Sequence, residues 1–159
     1  TMTTLESMKA AFMNLPKIKC DDPLTCHSVI MYCLSLGDER NKKGDIVGWN
    51  PSMLRIIASR ASAMLAYYGV DDALPLYLEE YERAAKKHPG HTLDLESVPV
   101  RDKYWALAEE VGAVAAAMRY DNASDPGRNS VLIHEVTKVG ALALAWLTLY
   151  QNAEDNADG

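Results

Sequence analysis

The sequence lacks most of the features that would assign it a class at sight. Its three cysteines, Cys20, Cys26 and Cys33, are odd in number and form no CxxC pair, which excludes a paired disulfide framework and fits a cytoplasmic, reducing setting. No stretch of about 18 apolar residues is evident and the start carries no export pattern, so no membrane partner is expected. Basic residues are the minority charge: 16 Lys and Arg stand against 22 Asp and Glu, for a net charge of -6. A chain that binds nucleic acid usually shows a basic face to the phosphates, so none is expected here. Strand-like alternation and internal repeats are also missing. Cys26 and Cys33 lie near His27 and Asp22, but without zinc-ligand spacing; buried apolar thiols are expected, and no zinc.

What remains is helical periodicity along almost the whole chain, pointing to an all-α bundle of five or six helices in one compact domain. A chain of 159 residues is long enough to bury a real core. Thr4 to Leu15 reads as a short helix stopped by Pro16. Asp22 and Pro23 form a cap-plus-proline start for a helix that ends at Gly37. It is apolar on most sides, so it is central to the core or covered by a partner chain. The charged, Gly-rich run from Gly37 to Asn50 reads as a loop pinned by Ile46, Val47 and Trp49. Asn50-Pro51 starts a helix that runs to Gly69. Asp71 or Asp72 opens the next, with Leu74, Tyr77, Leu78 and Tyr81 on its apolar stripe and His88-Pro89-Gly90 at its end. In Lys86-Lys87-His88 the charges complement the helix dipole.

After a connector from His91 to Val100, a helix from about Asp102 to Tyr120 carries Tyr104, Leu107, Val111, Val114 and Met118. The turn-rich segment Asp121 to Asn129 leads to a last helix from about Val131 to Tyr150, with Leu132, Val136, Val139, Ala143 and Trp146 on its apolar face. So short a connector favours an antiparallel pair. Gly112 and Gly140 lie inside these helices, where glycine costs about 0.5–1 kcal/mol relative to alanine; close backbone approach is one explanation for both, and simply tolerated small residues the other. Residues 1–90 form an N-terminal helical region, 91–152 the hairpin, and 153–159 a flexible acidic tail.

The hairpin carries the only chemistry: Glu109-Glu110-Val111-Gly112-Ala113 on one helix and His134-Glu135-Val136-Thr137-Lys138 on the other. Residues three apart share a helix face, so each segment holds one carboxylate of a possible i, i+3 pair. The block Leu107-Ala108-Glu109-Glu110-Val111-Gly112-Ala113-Val114-Ala115-Ala116, and the block Glu135-Val136-Thr137-Lys138-Val139-Gly140 continuing to Trp146-Leu147, resemble the MazG-like all-alpha nucleotide pyrophosphohydrolases of the actinobacterial and phage-type branch. His88-Pro89-Gly90 adds weaker support. The resemblance covers the C-terminal half; residues 1–90 resemble no family.

It implies a helical bundle that forms a homodimer and cleaves nucleoside triphosphates to monophosphate and pyrophosphate, with Mg2+ held by an ExxE and an ExxD pair. Carried onto this chain, the first pair is Glu110 and Ala113, the second Glu135 and Lys138, and Glu109 matches an accompanying acidic position. Replacing aspartate by lysine changes the local charge by two units, each interacting by about 4 kcal/mol at about 4 Å and an effective dielectric of about 20. If a metal is retained, Glu109, Glu110 and Glu135 are its oxygen donors, with Asp121 or His134 joining only if folded inward. Lys138 is the candidate contact for a nucleotide phosphate, and no catalytic residue is assigned. The expectation is a catalytically impaired relative acting as a nucleotide-binding or protein-assembly module. The alternatives are an active metal-dependent pyrophosphohydrolase and a phage-type helical protein that binds a host factor.

Overall fold

The chain folds as an all-α bundle, with six helices among the described residues: α1 (Thr4–Met13), α2 (Pro23–Gly37), α3 (Pro51–Tyr67), α4 (Leu74–Lys87), α5 (Val100–Arg119) and α6 (Pro126–Asp158). The structure, a computed structural model, describes residues 2–119 and 126–158, with side chains for 2–119 and 130–151. Local chemistry starts each N-terminal helix. Thr3 accepts from the Glu6 amide, Asp22 from Leu24, and Asn50 from Met53, so each cap satisfies an amide that has no partner within its helix. Pro23 and Pro51 fill first-turn positions that need no amide hydrogen. At α4, the Asp72 carboxylate accepts from the Leu74 amide.

Helix α6 is the axis, packed by α1, α3, α4 and α5, while α2 lies across α3 and α5. Buried residues from Met8 in α1 to Leu147 in α6 form one core, whose largest fully buried side chains include Trp146 and Tyr77. The 37–50 loop is held by an isolated antiparallel bridge between Arg40 and Ile46. Trp49 docks it, with ring centroids 5.8 Å from Tyr104 and 4.8 Å from Trp146. Ile46 is buried but Val47 is 53% exposed, so two of the three expected anchors serve.

Three expectations need correction. Helix α6 begins at Pro126 and runs on to Asp158, well beyond the expected Val131 to Tyr150. Pro126-Gly127 was a turn signal, but proline equally suits the first turn of a helix. Residues 121–125 lie outside the described residues. By length and composition Ser130–Gln151 is apolar enough to cross a membrane, contrary to the reading above; 67% of its most apolar window is buried in the bundle, as befits a core helix. Finally, Gly112 has open space where a Cβ would stand, so close approach does not explain it. At Gly140 a Cβ is excluded by the Tyr77 ring of α4, a side chain and not the backbone of the neighbouring hairpin helix.

The three thiols are buried and unpaired. Burial, reinforced by contact with the Cys26 thiol, pushes Cys20 up to about 12. Since the thiolate is the reactive form, alkylation of Cys20 by iodoacetamide at about pH 7.5 is expected to be at least about tenfold slower in the folded chain than in urea. Equal rates by mass spectrometry would contradict this packing.

Candidate functional site

Glu110 of α5 and Glu135 and Lys138 of α6 meet where the two helices face each other. The Lys138 ammonium lies 3.9 Å from Glu110 Oε2 and 3.6 Å from Glu135 Oε2. All three side chains are about four-fifths buried, with 22%, 18% and 22% exposure for Glu110, Glu135 and Lys138. The two carboxyl groups are also in hydrogen-bond contact with each other. Burial raises the Glu110 carboxyl above its ordinary value; Glu135 and Glu109 push it the same way and Lys138 opposes them. Glu135 Oε2 is buried without a hydrogen-bond partner, its nearest cation standing just beyond bonding reach.

This arrangement does not suit Mg2+. The ion takes oxygen ligands at about 2.0–2.1 Å in octahedral geometry, and here an ammonium already stands beside both carboxyl groups, at 3.9 and 3.6 Å. Ala113, one turn beyond Glu110, brings no oxygen. Among the described residues no group of three or more His, Cys, Asp or Glu is gathered to hold a metal ion. Glu109 is exposed and lines a cavity beside Glu110, without an ion pair to Lys138 among the described residues. His134 faces a separate hollow of about 290 Å³ with Glu80, Arg83 and Thr137. Asp121 lies outside the described residues.

A cavity of about 430 Å³ opens beside the trio, walled by α4, the 88–93 connector, α5 and α6. Its polar wall carries Arg83, Lys87, His88, His91 and Lys138, against Glu80, Glu109 and Glu110. Its floor is small and apolar, with Ala84, Ala106, Ala141 and Ala145. Arg83 clamps Glu80 through two hydrogen bonds, Nε to Oε2 at 2.9 Å and Nη2 to Oε1 at 2.5 Å. Burial alone would raise the Glu80 carboxyl, but this guanidinium holds it below the usual range. Its size is within that of small-molecule sites, about 300–1,000 Å³.

The sequence reading missed the α4 wall. Lys87 complements the helix dipole, as expected, and also lines the cavity; Glu80, Arg83 and Lys87 recur at i, i+3, i+7, a spacing that marks one helix face. That signal was present, but nothing in it said which helix the face would meet. Comparison with protein-family models, curated proteins and solved structures finds no match to this chain.

Proposed function

We propose that the chain is a MazG-like helical module without pyrophosphohydrolase activity, which holds the phosphate groups of a nucleotide in the α4–α5–α6 cavity without a metal. The observation that carries this reading is the Lys138 ammonium beside both Glu110 and Glu135, supplying internally the positive charge that a cation would bring. Arg83, Lys87, His88 and His91 surround the same cavity with further donors for phosphate oxygens. The alanine-lined floor offers a flat apolar surface for a base.

Titration calorimetry with nucleoside mono-, di- and triphosphates tests it directly. Binding is expected in EDTA, with no gain on adding Mg2+ and about tenfold loss in Arg83→Ala, the size of one charge-assisted hydrogen bond. Pyrophosphate release that depends on Mg2+ or Mn2+ and exceeds a Glu110→Ala control would replace this reading with the enzymatic one. Absence of any rise in melting temperature at about a hundredfold excess would remove the nucleotide, because native-state binding at that level stabilises by about 2.7 kcal/mol at 100 times Kd.

A further inference from the structure

We propose that Cys20 and Cys26 form a redox site, at which a low-molecular-weight disulfide such as oxidised glutathione reaches Cys20 and leaves the pair joined as one intrachain disulfide. The start of α2 brings the two residues together. Asp22 caps the helix: its Oδ1 accepts from the Leu24 amide at 3.1 Å and its carbonyl from the Cys26 amide at 3.2 Å, so Cys26 stands one turn above the cap. The Asp22 amide donates to the Cys20 sulfur, which draws Cys20 over the same turn, and the two thiols are hydrogen-bonded to each other. Both belong to the core, with 7% and 2% exposure for Cys20 and Cys26.

Spacing leaves Cys33 out. It lies seven residues beyond Cys26 on the same helix, about 10 Å along the axis, whereas a disulfide joins Cα atoms only about 4.4–6.8 Å apart. Cys20 stands on the connector between α1 and α2, outside any helical ladder, so its backbone can make the short move from thiol contact to a covalent bond. It also borders a hollow of about 520 Å³ between that connector and Ala63, Ala66 and Tyr67 of α3, a size within the range of small-molecule sites. The hollow gives an oxidant its approach to Cys20, and Cys26 does not border it.

The exchange balances with no further reagent. The Cys20 sulfur attacks the small disulfide, its proton goes to the thiolate that is released, and a mixed disulfide remains. Cys26 then attacks the Cys20 sulfur and its proton leaves with the second small thiol, so two electrons have passed from the pair to the oxidant. Burial holds Cys20 in its thiol form, which makes the first step slow. The second is intramolecular, between sulfurs already in contact, and is fast. A reduced pair that gains nothing as thiolate also gives a disulfide that is hard to reduce. The site therefore registers a sustained oxidising load and ignores a brief one.

Peptide mapping of the full folded chain, incubated with oxidised glutathione at about pH 8.5 to supply thiolate, tests the inference. Once free thiols are blocked, cleavage before Asp21 and after Tyr32 separates the three cysteines. One disulfide per chain is expected, with the Cys20–Cys26 link favoured at least about tenfold over Cys26–Cys33. In urea the two links should form in near parity, because their loops differ by one residue and closure depends only weakly on length. The same mixture from folded and unfolded chains overturns the proposal. So does a folded chain that stays reduced, stops at a glutathione adduct or links Cys33. The map is made on the unmutated chain, so the test does not wait on a buried cysteine variant that folds. None of these outcomes bears on nucleotide binding in the α4–α5–α6 cavity, so the two readings stand or fall separately.

Discussion

Gly140→Ala is expected to destabilise the bundle by about 3 kcal/mol, the upper end for inserting one carbon into a packed core. A Cβ at this position would overlap Cε1, Cζ and Oη of Tyr77. The ring has nowhere to go. It is fully buried, its hydroxyl is 2.9 Å from Ser62 Oγ, and its edge packs on Phe12 with centroids 6.1 Å apart. Helix α4 must therefore move away from α6, which separates Arg83 and Lys87 from Lys138 and widens the cavity. The gain in helix propensity, about 0.5–1 kcal/mol, is too small to compensate. Urea unfolding reads the effect as a lower midpoint at unchanged m-value. A variant as stable as the parent would mean that α4 and α6 do not approach as closely as the structure has them. Partial recovery on adding Tyr77→Leu would confirm that the clash, and not backbone stiffness, is the cause.

The same glycine shows how far the sequence carries. A glycine inside a helix announces that a Cβ is unwanted or tolerably absent, and the two cases look alike along the chain. Gly140 and Gly112 have the same pattern, yet one faces a tyrosine ring and the other open space. Helix starts were legible at Asp22-Pro23 and Asn50-Pro51, where a capping oxygen and a proline act within three residues of each other. Pro126 was not, since Pro-Gly serves turns and helix starts equally. At the site, periodicity put Glu135 and Lys138 on one face and Glu110 on another. The contact of Lys138 with Glu110 depends on how two helices pack, and the α4 wall on a third. Spacing specifies what one helix presents, while tertiary packing decides what it meets.

Lys138→Ala is expected to cost about 2 kcal/mol at about pH 7, less than the 3–5 kcal/mol of a fully buried pair because the trio keeps some solvent. The cost follows from charge. Lys138 is the cation against both Glu110 and Glu135, which touch each other. Two carboxylates at about 4 Å and an effective dielectric of about 20 repel by about 4 kcal/mol, and protonation of one relieves most of it. Glu110 is the group that takes the proton: burial raises it, as do Glu135 and Glu109, and the variant loses the Lys138 charge that holds it down. A carboxyl raised on folding contributes stability below its unfolded value and loses it as pH rises through the folded one. The deficit of the variant should therefore shrink as pH falls from about 7 towards the ordinary Glu range near 4.3. Glu80, held low by Arg83, loses its contribution in the opposite direction, as pH falls, but does so in both chains and largely cancels from the difference. Removing the ammonium also leaves two adjoining oxygen donors with no cation beside them, so Mn2+ is expected to raise the melting temperature of the variant and leave the parent unchanged. If Mn2+ stabilises both chains alike, or if the deficit is constant across pH, Lys138 is not the charge that holds these carboxylates together, and the proposed replacement of a metal by a side chain falls with it.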